Sequence, residues 1–187
     1  GGAFGGKDDV VYETSAQAAK LALIAGRPVR LVLTRSESMV ASYKRQASRY
    51  HLQIGADAEG NLQAARAEVL IDNGAYAAAT PLASWRATMH AAGAYRYRAV
   101  RVDTDVVYTN NGYAGAFRGF GNIQAAAASE MAIDELAHRL GRDPLALRLQ
   151  NCLREGDRTM TGAEIDHEVG LAGCHTWVRD HAGWQEK

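Results

Sequence analysis

The stretch Gly115-Ala116-Phe117-Arg118-Gly119-Phe120-Gly121 runs straight into an alanine-rich segment, Asn122 to Leu140, that stops at Gly141. Glycines at this density serve a backbone that must adopt positive φ or let a ligand touch it, because a side chain would block the approach. The alanine-rich segment predicts a helix with Gly141 as its stop. The loop therefore leads to a helix start, where unpaired N–H groups and the helix dipole favour anionic oxygens. Another helix follows at once, since Asp143 and Pro144 make a cap and first-turn pair for a helix through Leu153. Leu171 to Ala182 is weakly helical.

Upstream the period changes. From Arg98 to Tyr108, Val100, Val102, Thr104 and Val106 alternate with Arg101, Asp103 and Asp105, the pattern of a half-buried strand. Tyr50 to Ala58 and Leu62 to Tyr76 predict a hairpin joined by Glu59-Gly60-Asn61. Val29 to Thr34 is an apolar run that should be extended, and Ser36 to Val40 offers at most a helical turn. Nearer the start, Thr14 and Ser15 can cap a helix from Ala16 to Ala25, which Gly26 ends and Pro28 keeps from continuing. Mixed strands followed by helices give an α+β fold class. A chain of 187 residues with 47% apolar content can bury a real core in one or two compact units, and no internal boundary is legible between residues 1 and 187.

The 21 basic and 21 acidic residues cancel, which argues against wrapping nucleic acid or docking on an anionic membrane. No apolar run approaches membrane-spanning length, so no membrane insertion is expected. Cys152 and Cys174 are too few to ligate an iron–sulfur cluster and too far apart for a redox pair. His90 and His138 each sit alone on a probable helix and read as packed or exposed polar residues rather than ligands.

The chain opens on a second glycine loop, Gly1-Gly2-Ala3-Phe4-Gly5-Gly6-Lys7-Asp8, one residue short of the phosphate-loop pattern. Nucleotide binding fails on chemistry: the hydroxyl that would hold magnesium after the lysine is replaced by Asp8, whose carboxylate repels phosphate. A pair of tight turns is the bland alternative. Two loops of this length, each with Phe among its glycines, instead predict bare main-chain amides that serve as contact groups.

Gly-Gly-Ala-Phe-Gly-Gly-Lys followed far downstream by Gly-Ala-Phe-Arg-Gly-Phe-Gly closely resembles the molybdenum hydroxylase family of xanthine dehydrogenase and aldehyde oxidase. Between the loops, Gly26-Arg27-Pro28-Val29-Arg30, Tyr76 after Asp72-Asn73-Gly74, and Arg86 near Tyr95 fall where that family has similar residues, and Asn151 with Glu155-Gly156-Asp157 continues the likeness. The resemblance covers essentially the whole chain and implies part of a molybdopterin-binding domain. It implies that Gly2, Phe4, Gly5 and Gly6 in the first loop, and Ala116, Phe117, Arg118 and Gly119 in the second, contact the cofactor, with Phe4 and Arg118 nearest the molybdenum but not as direct side-chain ligands. Arg86 resembles an arginine that orients substrate and stabilises negative charge arising on a heterocycle. Phe120 resembles the ring that packs against an aromatic substrate, a physically sensible pairing with a guanidinium at the substrate's edge.

One departure bears on the substrate. Asp8 stands where purine-oxidising relatives place a glutamate, so it reaches one methylene less far; pointing inward it implies a bulkier or more deeply bound substrate, and pointing outward it argues against purines. Arg86 favours N-heteroaromatic over aldehyde substrates. Both residues also read as surface charges or structural ion-pair partners. The resemblance further implies a molybdenum–molybdopterin cofactor, in the plain or cytosine dinucleotide form, and a reaction that inserts oxygen from water into a C–H bond of a small-molecule substrate. Its glutamate base lies on a later loop outside these residues, and Glu130 and Glu135 look structural. The opening Gly in place of Met suggests a fragment, so the isolated chain is expected neither to retain cofactor nor to turn over. The rest of the molybdopterin subunit, a [2Fe-2S] subunit and an FAD subunit are the implied partners, in the cytoplasm with the periplasm left open. An aldehyde-oxidising relative and a non-catalytic module that kept the fold are the alternatives, the latter disfavoured by intact Phe4, Arg118 and Phe120.

Overall fold

The computed structural model describes residues 4–5 and 12–184. Its elements are α1 (Tyr12–Ala25), α2 (Arg35–Ala41), β1 (Ser48–Ala56), β2 (Leu62–Gly74), α3 (Thr80–Met89), β3 (Ala99–Tyr108), α4 (Asn122–Arg139), α5 (Pro144–Asn151) and α6 (Leu171–His181), with the strands in one sheet of order β1-β2-β3. The fold is α+β. The chain divides into two compact units, each assembled from separate stretches: Gly1–Ser48, Leu70–Arg86 and Asp105–Gly121 form the first, and Arg49–Val69, Ala87–Thr104 and Asn122–Lys187 the second.

The second unit is built on apolar packing. Leu62, Tyr95, Ile133, Ala137 and Leu147 form its core, with Ile54, Ala56, Tyr97, Leu136 and Leu140 packed around them. On α4 the buried residues Ala125, Ser129, Ile133 and Ala137 recur every fourth position, one stripe of a helix facing the core. The predicted hairpin is present, and Asn151 closes its turn: buried, it accepts from the Leu62 amide at 3.0 Å and donates to the carbonyls of Gly60 at 2.9 Å and Leu147 at 3.0 Å. Asp143 caps α5 by accepting from the Ala146 amide at 2.6 Å, with Pro144 in the first turn. Arg148 then joins α5 to α4 through Glu130 at 2.8 Å and Asp134 at 2.6 Å, and the Tyr95 hydroxyl donates to the same Glu130 carboxylate at 2.7 Å. Burial works against the charge of Arg148, but the bonds to Asp134 and Glu130 outweigh it and hold the guanidinium firmly protonated. Burial, reinforced by Glu130, pushes the Tyr95 phenol well above its usual value.

The largest departures from the sequence expectation lie before β1. Helix α1 begins at Tyr12, so Thr14 and Ser15 lie inside its first turn rather than capping it. Helix α2 has seven residues rather than a single turn, because Thr34 and Glu37 form a capping box: the Glu37 amide donates to Thr34 Oγ1 at 3.2 Å and the Thr34 amide to Glu37 Oε2 at 2.8 Å. Val29 to Thr34 joins no ladder among the described residues. His90 falls just past the end of α3, and His138 lies in the last turn of α4.

Candidate functional site

The two glycine loops meet in the first unit. A Cβ built on Gly5, which sits at φ +82°, would lie 2.7 Å from the Ala116 carbonyl carbon and 2.7 Å from the Phe117 nitrogen, so only glycine allows the first loop to touch the main chain of the second. The Arg118 guanidinium lies over the Phe4 ring, 5.5 Å from its centre, within cation–π range. Phe4 at φ +48° and Phe120 at φ +47° occupy the left-handed region that side chains avoid, a local strain of the kind that persists where surrounding structure imposes it. Phe4 is 64% exposed. Gly2, Gly6 and Asp8 lie outside the described residues.

Along the second loop Ala116 is buried while Phe117, Arg118 and Gly119 are exposed and Phe120 half-buried. The Phe120 amide donates to the Phe117 carbonyl at 2.7 Å and closes a turn. The amides of Phe117, Arg118 and Gly119 donate to no main-chain carbonyl among the described residues. An exposed loop carrying successive undonated amides beside a guanidinium is a donor set for anionic oxygens. Among the described residues there is no group of three or more His, Cys, Asp or Glu that could hold a metal ion.

The segment that holds this arrangement is Tyr43–Gln46, between α2 and β1. Lys44 and Ala114 form a parallel bridge, with the Gly115 amide donating to the Lys44 carbonyl at 3.1 Å. The buried Tyr43 hydroxyl donates to the Gly5 carbonyl, and its ring occupies the space beside Gly115, where a Cβ would come within 2.6 Å. Arg45 lies over the Phe117 ring at 4.9 Å and donates to the Arg118 carbonyl. Buried Gln46 donates to the Gly115 carbonyl at 3.0 Å and to Thr80 Oγ1 at 3.2 Å, and Thr80 in turn donates to the Ala114 carbonyl at 3.0 Å. Thr80 opens α3, so these bonds also fix the helix that carries Arg86, roughly 9 Å further along its axis at the usual helical rise. Arg86 is exposed, and no hydrogen bond or ion pair engages it among the described residues.

A third support is the turn after β2. The Asp72 carboxylate accepts from the Gly74 amide at 2.8 Å, Thr109 Oγ1 at 2.7 Å and Asn111 Nδ2 at 2.5 Å. Those bonds, led by Thr109 and then Asn111, hold its pKa below the ordinary carboxylate value. The Ala114 amide donates to the Asn73 carbonyl at 3.0 Å, so the turn is tied to the start of the second loop. The sequence pattern singles out the loops, Arg86 and Asp72-Asn73-Gly74 but not Tyr43, Arg45, Gln46 or Thr80. The one signal for Tyr43, Arg45 and Gln46 is a run of polar, aromatic and basic residues with no apolar period, placed between two regular elements; Thr80 has none.

Residues 1–152 match the family model described as molybdopterin cofactor-binding domain. The nicotinate dehydrogenase large molybdopterin subunit of Eubacterium barkeri is 42% identical over 97% of this chain and 42% of its own length. The xanthine dehydrogenase molybdenum-binding subunit of Escherichia coli is 34% identical over 100% of this chain and 25% of its own length. Among solved structures, the aldehyde oxidoreductase of Desulfovibrio gigas superposes with a TM-score of 0.87 at 33% identity, over 96% of this chain and 20% of its own length. The chain thus spans less than half the length of each of these relatives.

Proposed function

The chain belongs to the family of molybdopterin cofactor-binding domains, and from that premise we propose that its two glycine loops form part of the wall around a molybdenum–molybdopterin cofactor in a larger subunit. The complete enzyme hydroxylates an N-heteroaromatic substrate, purine-like or pyridine-like, with water as the oxygen source. The observation that carries the proposal is the contact of Gly5 with Ala116 and Phe117 beside the Phe4–Arg118 pair. The exposed, undonated amides of the second loop suit the anionic oxygens of such a group, in the plain pterin or cytosine dinucleotide form. When bound, the cofactor makes water nucleophilic and takes up two electrons.

The chain's own residues then have distinct tasks. Phe4 and Gly5, with their neighbours Gly2 and Gly6, and Ala116, Phe117, Arg118 and Gly119 hold the cofactor by main chain and by one guanidinium. Phe120 offers a ring face to a planar substrate. Arg86, exposed near the end of α3, orients the substrate and stabilises negative charge that develops on its ring. Asp8 contributes a hydrogen bond to that ring. The proton-abstracting base, [2Fe-2S] clusters and FAD belong to the rest of the molybdopterin subunit and to partner subunits, in a cytoplasmic or periplasmic complex.

Similarity at 42% identity to a nicotinate dehydrogenase subunit favours the heteroaromatic reading; similarity to an aldehyde oxidoreductase supports the second reading, an aldehyde-oxidising enzyme. The complete enzyme separates them when assayed with a purine, a pyridine carboxylate and an aromatic aldehyde. One of the heteroaromatics should be preferred, and Arg86→Met should lower kcat on it by about 10²–10³ while sparing the aldehyde. Preference for the aldehyde with no effect of Arg86→Met would establish the second reading instead.

A further inference from the structure

We infer that Arg45 is a positioning residue for the cofactor pocket, acting through the Arg118–Gly119 peptide, with Tyr43 as its counterpart on the first loop; the inference rests on the proposal that these loops line that pocket. In a trans peptide the carbonyl and the following N–H point in opposite directions. The backbone of this chain contains no cis bond among the described residues. When the Arg45 guanidinium takes the Arg118 carbonyl, it therefore turns the Gly119 amide to the opposite side of the peptide plane. The Gly119 amide donates to no main-chain carbonyl among the described residues, and Gly119 itself stands at φ +90° in an exposed loop. Arg118–Gly119 is the central peptide of the turn that the Phe120 amide closes on the Phe117 carbonyl, the peptide whose flip separates one turn type from another, and the Arg45 bond to its carbonyl favours one of the two orientations.

Arg45 is itself fixed, since its guanidinium also lies over Phe117 at 4.9 Å. One side chain therefore grips the loop on both sides of the Phe117–Arg118 peptide. Tyr43 does the equivalent for the first loop: its hydroxyl holds the Gly5 carbonyl while its ring fills the space beside Gly115. A side chain that only tied the loops down could attach anywhere along them. These two attach to the main chain of residues at the loop–loop contact, where a change of direction alters which amides a ligand meets. Supporting groups of this kind typically change metal retention or activity by about 10- to 100-fold when removed.

The test uses the complete molybdopterin subunit with its partner subunits. Arg45→Met keeps an aliphatic stem over Phe117 and removes the donor, Arg45→Lys restores one donor, and Tyr43→Phe keeps the ring and removes the hydroxyl. Three quantities are read: molybdenum per subunit after extended dialysis, the electron paramagnetic resonance signal of the partly reduced centre, and the thermal midpoint. Arg45→Met should lose molybdenum about 10- to 100-fold faster than the wild type and show an altered resonance in what remains, with Arg45→Lys recovering part of both. Should Arg45→Met fail to accumulate, the same shifts in Arg45→Lys and Tyr43→Phe carry the test. Unchanged retention and resonance with only a lowered midpoint would reduce Arg45 to a structural tie and overturn the inference. Gly5→Ala guards the premise: if that loop-contact variant also keeps molybdenum with an unchanged resonance, the pocket lies elsewhere and both ideas fall, whereas its loss beside an unaffected Arg45→Met removes the positioning role alone.

Discussion

The second unit buries Leu62, Ile133 and Leu147 around Tyr95, whereas the first buries Gln46, Asn73, Thr80 and Ser84 beside Tyr43, Ile71, Ala83, Ala114 and Ala116. The contrast follows from what each must present. Loops that present main chain leave few positions behind them for large apolar side chains, because glycine and alanine hold most of those positions, and Ile71 is the large aliphatic residue buried there among the described residues. The first unit fixes its loops with directional bonds instead, from Tyr43, Gln46 and Thr80 to carbonyls of residues 5, 114 and 115. Each such bond contributes only about 1 kcal/mol net, against about 1.5–3 kcal/mol for a fully buried aliphatic side chain. Helix α1 adds little apolar support, since Leu21, Leu23 and Ile24 are exposed. The first unit is thus specified more by geometry than by burial and should open first.

The largest effect should come from the apolar side of this comparison. Ile133 is fully buried in the second unit, and Ile133→Ala should cost about 2–5 kcal/mol in denaturant unfolding of the complete subunit. Hydrogen exchange should show the loss in β1, α4 and α5, while folded molecules keep their molybdenum. Loss of metal in proportion to stability would erase the division of labour between the units. Next in size is Thr80→Val, which keeps the shape of a fully buried side chain but strands the Ala114 carbonyl and one Gln46 donor. About 1–3 kcal/mol is expected, read as faster exchange at residues 114–116, with Thr80→Ser close to the wild type. Smaller again is Thr34→Ala, which removes the α2 cap for about 1 kcal/mol and should leave exchange in α4 and α5 untouched.

What the sequence made legible divides along the same line. The alanine-rich helix from Asn122, the Asp143-Pro144 start and the hairpin around Gly60 depend on neighbours a few residues apart, and each lies within two residues of its expected place, with β1, β2 and α5 each ending two residues early. The glycine loops announced themselves by composition. The residues that hold them did not, because Tyr43 reaches Gly5 and Arg45 reaches Arg118 across long stretches of chain, and no local period encodes a bond to a distant carbonyl. Neither unit is bounded by a linker, since each interleaves with the other along the chain. The α2 cap is readable in principle, since Thr34 and Glu37 stand at capping-box spacing, but the apolar run from Val29 that reaches Thr34 equally fits an extended segment.

The gentlest way to separate the units is acid, because the effect is one of slope and vanishes near neutrality. Asp72 is ionised in the folded state and accepts from Thr109, Asn111 and the Gly74 amide, which holds its pKa below the ordinary carboxylate value. An unfolded aspartate titrates near about 3.9, so as pH falls the unfolded chain takes up its proton first. The stabilisation is therefore fully present above that value and is lost as pH drops through the lower folded value. Exchange at Gly74 and Thr109, corrected for its intrinsic pH dependence, should accelerate below about pH 4 while the α4 amides around Ile133 stay protected. Asp72→Asn should remove that acid limb and loosen the same amides already at neutral pH, since an amide cannot offer the same charged acceptor to three donors. A limb of equal steepness in Asp72→Asn would assign the acid sensitivity to another carboxylate and take the turn after β2 out of the support for the second loop.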